Sequence, residues 1–178
     1  MPQPDHISAL PVPDPKTLDD DLKAVFQKCM DKLGLVPNVL STYSLRPNKL
    51  RNFMALYNEL MLAPSGLSKL EREMVAVVVS SHNRCYYCLV AHGQAVRQLS
   101  NDPELGEMLV MNYRAAKLHP RQRVMLDFAW KLTATPHLVD HDDRAALRNA
   151  GLSEEDIFDL ADTVGFYNMS NRVATATD

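Results

Sequence analysis

Cysteine is rare in this 178-residue chain: there are 3, too few for a disulfide scaffold. No run of about 18 apolar residues occurs, so no segment reads as a membrane span. Strong charge of one sign is also missing. A net charge of −3 leaves no basic footprint for nucleic acid or an anionic membrane. The first residues, MPQPDHISALPVPDPK, lack the basic-then-apolar pattern of a secretory signal. They read as an extended, proline-rich arm over 1–17 of a cytoplasmic protein, with residues 18–178 as one domain. Glycine is scarce too, with 6 residues, so little of the chain is given to flexible breaks.

What is present is helical period. Leu22, Val25, Phe26, Cys29 and Leu33 share one face of a helix that Gly34 closes. Pro37 opens a short second helix. Leu50, Phe53, Met54, Tyr57 and Leu60 repeat the pattern. GLSKLEREMVAVVVSS begins with a capping box, Ser68 with Glu71. Asp140 reads as a helix N-cap, Gly151 as a C-terminal stop, and Ser153 with Asp156 as a second capping box. The expected fold class is all-α.

One segment argues otherwise. VAVVVSS is β-branched and precedes a C-x-x-C, the order expected at a strand-to-helix junction of a thioredoxin-like fold. Yet the run begins inside a capped helix start, and no alternating partner strands follow. There is also an internal echo that an old duplication would leave. Residues 67–79 align with 118–130, and Leu67, Arg72 and Met74 match Leu118, Arg123 and Met125, whereas Glu73 meets Val124.

The chemistry concentrates in CYYCLVAH, residues 85–92. On a helix Cys85 and Cys88 share a face, with Cα atoms about 5 Å apart, within disulfide range. Cys88 and His92 are also neighbours at i, i+4. A helix starting near Asn83 or Arg84 puts both sulphurs at its positive end, which lowers a thiol pKa. An adjacent imidazole can take the thiol proton. If the preceding helix turns back over Ser81–Arg84, residues equidistant from the bend pair, and Glu73 meets His92. On a straight helix Glu73 would lie about 18 Å from Cys85. A carboxylate against His92 fixes its orientation, as the third member of a triad does. Two blander readings stay open: a pair of buried thiols, and a zinc clip of Cys85, Cys88 and His92 completed by Glu73.

The stretch EREMVAVVVSSHNRCYYCLVAH resembles the core of the alkylhydroperoxidase AhpD-like family, related to carboxymuconolactone decarboxylases. Its pattern is a Glu, then C-x-x-C-x-x-x-H, here Glu73, Cys85, Cys88 and His92. GLVPNVLSTYSLRPNKL and LRNAGLSEEDIFDLADTVGFYNMSNRVA extend the likeness to the peroxidase-related branch, over most of residues 25–176. The resemblance implies an all-α fold with a central helical hairpin carrying the C-x-x-C. It also implies thiol-dependent reduction of hydroperoxides. Cys88 would attack the peroxide, Cys85 would resolve the product as a disulfide, and Glu73 with His92 would activate Cys88. An external dithiol, a lipoyl group or a thioredoxin-like protein, would restore the pair. Homo-oligomers (dimers, trimers or hexamers) are the expected assembly, with no cofactor and no metal. The best-studied members carry a histidine just before the second cysteine, where this chain has Tyr87, a poor base near neutral pH. On the same scaffold a decarboxylase or lactone-processing enzyme would use Glu73 and His92 without the thiols. A redox-sensing or zinc-stabilised protein would need no turnover.

Other residues receive quieter readings. Tyr86, Tyr87 and His82, the last in a turn, are candidate pocket residues. Cys29 reads as core. His137 and His141 read as a solvated helix start, and Asn168 and Asn171 as capping or oligomer contacts.

Overall fold

The computed structural model describes residues 7–177. Among them the chain forms nine α-helices and no strand. These are α1 (Asp20–Leu33), α2 (Asn38–Tyr43), α3 (Pro47–Leu62), α4 (Lys69–Asn83), α5 (Tyr86–Ser100), α6 (Pro103–Asn112), α7 (Pro120–Ala134), α8 (His141–Asn149) and α9 (Glu154–Thr177). Residues 1–6 of the expected arm lie outside the described residues, and Pro15–Thr17 makes a 3-10 turn. The chain separates into two compact units. One runs to Asn58 and takes back the last residues from Ala174; the other is Glu59–Val173.

In the first unit Leu18, Leu22, Phe26 and Leu50 form a buried cluster, with Val25, Val36, Leu40, Tyr43 and Met54 against it. Each such side chain contributes about 1.5–3 kcal/mol on burial. Arg51 of α3 clamps this cluster by bonding Asp21 at 2.7 Å and also Asp19 at the start of α1. The amphipathic face of α1 is shorter than its sequence implies: Leu33 is exposed and Cys29 only half-buried. Gly34, at φ 73°, ends the helix there, and residues 30–33 before it are all exposed.

The second unit is built around α4, which packs against α5, α6 and α7. Every residue from Met74 to Ser80 is buried. This explains VAVVVSS. A helix enclosed on several sides is apolar all round, and the β-branched run needs no strand. Its start is set by Ser68 and Glu71, which cap each other's backbone amides at 3.2 and 2.8 Å.

The echo between the halves extends to the structure. Helices α4 and α7 are both 15 residues long and start 51 positions apart. Each opens with a capping box, Ser68 with Glu71 and His119 with Gln122. Each carries an arginine at the matched position. Arg72 donates to the carbonyls of Leu60 and Ala63, at 3.0 and 2.9 Å. Arg123 donates to those of Tyr113, Arg114 and Ala116, at 3.3, 3.2 and 2.8 Å. In both cases the guanidinium bonds carbonyls at the end of the preceding helical segment.

Candidate active site

The bend between α4 and α5 falls later than expected. Helix α4 runs through Asn83, Arg84 adopts the left-handed conformation at φ 56°, and Cys85 is the N-cap of α5. His82 therefore sits in the last turn of α4, not in a turn, and its ring packs perpendicular to that of Trp130 with centroids 4.7 Å apart. Glu73 and His92 pair nonetheless, because the amide of Cys85 donates to the carbonyl of Ser80 at 3.0 Å and that of Arg84 to Ser81 at 3.2 Å. This Schellman-type closure folds the chain back across the last turn and sets Cys85 level with Ser80. From there Glu73 lies seven residues back along α4 and His92 seven residues on along α5, about 10 Å each way. The carboxylate and the imidazole Nδ1 meet at 2.7 Å, with side chains only 13% and 16% exposed. Nδ1 is thus spent on Glu73, which leaves Nε2 as the ring nitrogen that can take or give a further proton.

Cys85 and Cys88 are both buried, and their Sγ atoms lie 2.8 Å apart. The expected lowering of the thiol pKa does not prevail at Cys88. Its thiol is held above the ordinary range, first by the hydrogen bond with Cys85, then by burial and by charge on Cys85. Two thiolates at this distance repel, so the pair gives up one proton and retains the second. Asn171 and Ser80 act the other way and pull its pKa down, by less. Among the described residues His92 makes no direct hydrogen bond to Cys88; its ring edge meets Tyr167 at 4.7 Å. The four motif residues therefore form two pairs on one hairpin, an acid–imidazole pair and a dithiol pair.

The sequence reading missed the contribution of α9. Tyr167 and Asn171, one turn apart and 1% exposed, reach the hairpin at His92 and Ser80. Asn168 and Asn171 both accept hydrogen bonds from Asn83 of α4, and Asn171 is too buried to be an outward contact. Among the candidate pocket residues, Tyr87 is half-buried and Tyr86 is 68% exposed. No cluster of three His, Cys, Asp or Glu side chains among the described residues is placed to hold a metal ion.

Residues 47–129, which include Glu73, Cys85, Cys88 and His92, match the carboxymuconolactone decarboxylase family. The crystal structure of an uncharacterized peroxidase-related protein from Silicibacter sp. TM1040 is 57% identical to this chain. That match covers 99% of this chain and 93% of that one, with a TM-score of 0.94. The chain belongs to this family, in its AhpD-like, peroxidase-related branch. A second relative, from Ralstonia eutropha JMP134, is described as an alkylhydroperoxidase AhpD core and is 42% identical. It covers 97% of this chain and 90% of its own, with a TM-score of 0.93. The debrominase Bmp8 shares the AhpD-like fold alone, at 19% identity and a TM-score of 0.75, over 88% of this chain and 83% of its own. No curated protein matches the chain. Asn171 and Tyr167 fall beyond the segment that matches the family, so the motif by itself does not point to them. No helix among the described residues is long and apolar enough to cross a membrane.

Proposed function

We propose that the protein reduces hydroperoxides through a dithiol–disulfide cycle at Cys88 and Cys85. The observation that carries this reading is the meeting of two buried thiols at 2.8 Å on the hairpin that also holds the Glu73–His92 pair. The Cys88 thiolate attacks the outer peroxide oxygen; an S–O bond forms, the O–O bond breaks, and the alkoxide leaves as alcohol after taking a proton. His92, oriented by Glu73, moves that proton through Nε2 by way of water, since it does not touch Cys88 directly. Cys88 is then a sulphenic acid. Cys85 attacks its sulphur, an S–S bond forms, the S–O bond breaks, and hydroxide leaves as water. An external dithiol, a lipoyl group or a thioredoxin-like protein, returns two electrons and two protons by exchange. The cycle needs a thiol-reducing compartment, which places it in the cytoplasm.

The test is stoichiometric cumene hydroperoxide added to the reduced protein, followed by mass spectrometry of the thiols. A Cys85–Cys88 disulfide is expected. Cys88→Ser should abolish peroxide consumption, and Cys85→Ser should let a dimedone-trappable sulphenic acid accumulate at Cys88. Thiols that survive the peroxide would sink the reading. Because His92 makes no bond to Cys88, a second reading has Glu73 and His92 acting as an acid/base pair on a lactone or carboxylate substrate. Full turnover of such a substrate by the Cys85→Ser/Cys88→Ser double variant would favour it.

A further inference from the structure

Cys88 lies in the first turn of α5, but Cys85 stands at its edge, as the N-cap with extended backbone at φ −81° and ψ 99°. The carbonyl of Cys85 belongs to α5, accepting from the amide of Leu89 at 3.0 Å. Its amide belongs to α4, donating to the carbonyl of Ser80 at 3.0 Å. The place of its sulphur, 2.8 Å from that of Cys88, therefore depends on how firmly the last turn of α4 is held. We propose that Asn83, Asn168 and Asn171 form a brace that locks this turn to α9 and so keeps Cys85 within bonding reach of Cys88, with Asn83 as its central positioning residue. This deepens the peroxide reading and rests on it for its role in turnover.

The brace can be followed donor by donor. Arg172 can only donate, and its Nη1 lies 2.8 Å from the side chain of Asn168, so the atom facing it is the acceptor Oδ1. The other end of that amide agrees. Asn168 Nδ2 donates to the Val164 carbonyl at 3.0 Å and to Thr133 Oγ1 at 3.1 Å, and Thr133 sends its own proton to the Ala129 carbonyl at 2.8 Å. The Asn83 atom that meets Asn168 Oδ1 at 3.1 Å must then be the donor Nδ2. The same Nδ2 meets Asn171 at 2.9 Å, which fixes that atom as Oδ1. Asn171 thus turns its amide nitrogen to Ser80 Oγ, at 3.0 Å.

Two residues of one turn, Ser80 and Asn83, are in this way tied to α9. Between them Ser81 sends its hydroxyl to the Val110 carbonyl of α6 at 2.6 Å. Ser80 is also the residue whose carbonyl holds the Cys85 amide, and Asn83 directly precedes the left-handed Arg84. Ser80 and Asn171 are 0% and 1% exposed, so water does not stand in for a lost partner. Helix α1 makes the contrast. It also closes through a left-handed residue, Gly34, but its last turn is exposed.

The experiment reads the dithiol without peroxide. The protein is equilibrated with mixtures of reduced and oxidised glutathione, and the Cys85–Cys88 disulfide is counted by mass spectrometry after the free thiols are trapped. Oxidised glutathione takes two electrons and two protons from the protein thiols; one S–S bond forms between Cys85 and Cys88, one breaks in glutathione, and two reduced glutathiones leave. Asn83→Ala is expected to lower the equilibrium constant about tenfold, a rise of about 30 mV in reduction potential. Ser80→Ala, which removes one tether, should lower it about threefold. Phe26→Leu, in the first unit, is the control: its melting temperature should fall while the constant stays in place. A merely structural role would lower the melting temperature of Asn83→Ala and leave its constant at the parent value. That result would overturn the proposal, and so would an equal fall of the constant in the control. If Asn83→Ala fails to fold by circular dichroism, Ser80→Ala decides alone, since it removes only a hydroxyl. A lowered constant in variants of a protein inert to peroxide supports the brace and refutes the peroxide reading. An unchanged constant in variants of a protein that reduces peroxide refutes the brace only.

Discussion

Replacing Glu73 by Gln tests the proton path most directly. Gln keeps a side-chain oxygen that can accept from His92 Nδ1, so the ring holds its place while the carboxylate charge disappears. The pair is close, at 2.7 Å, and both side chains are largely shielded, at 13% and 16% exposure. Two unit charges about 4 Å apart at an effective dielectric near 20 interact by about 4 kcal/mol. That is the ceiling on what Glu73 can contribute to an imidazolium formed in passing, and it corresponds to about three decades in rate. Residual amide dipole and partial solvent access reduce it, so we expect a loss on the order of 100-fold, inside the usual range for positioned acid–base groups. The assay is single-turnover oxidation of the reduced protein by cumene hydroperoxide, with the Cys85–Cys88 disulfide as readout and thermal melting as the check on folding. A Glu73→Gln protein that folds and oxidises within twofold of the parent would refute the relay.

Two further outcomes concern the scaffold. Arg84→Gly removes the side chain from a left-handed position, which costs an L-residue about 1–2 kcal/mol, partly offset by the greater chain entropy of glycine. A net gain of up to about 1 kcal/mol should raise the melting temperature by about 2–4 °C; a lower melting temperature would contradict the account of the bend. The Arg51 hydrogen bond holds the Asp21 carboxyl below its usual range. Stabilisation from a depressed carboxyl is complete above its unfolded pKa and disappears as pH falls through the folded one. Melting of the parent should therefore fall more steeply below about pH 4 than melting of Asp21→Asn; equal slopes would show that the clamp adds nothing.

The helices were legible because their signals are local. The capping boxes at Ser68 and Ser153 form as read, and Asp140 caps α8 at 2.9 Å. The Glu73–His92 pairing was legible through the spacing of the motif, although the bend sits at Arg84 and the registry is restored by the Schellman-type closure. No sequence pattern announces that an arginine will take a left-handed conformation. The α9 residues were not legible for another reason. Asn171 reaches Ser80 across 91 positions, and an asparagine on a helix looks the same in sequence whether it faces the core or a neighbouring subunit. Only packing distinguishes these. The ionisation of Cys88 was misread because a dipole argument treats each thiol alone, whereas its nearest charge is its twin.

The arginine anchors of α4 and α7 show that holding a hairpin in place and doing chemistry on it are separate demands. Arg72 and Arg123 ask only for backbone oxygens, which any sequence supplies. The thiols and imidazole ask for particular side chains, and one half alone has them: Pro136, Val139 and Asp143 stand 51 positions beyond Cys85, Cys88 and His92. There Pro136 opens a 3-10 turn and Asp143 completes the capping box of α8, so these positions serve the architecture.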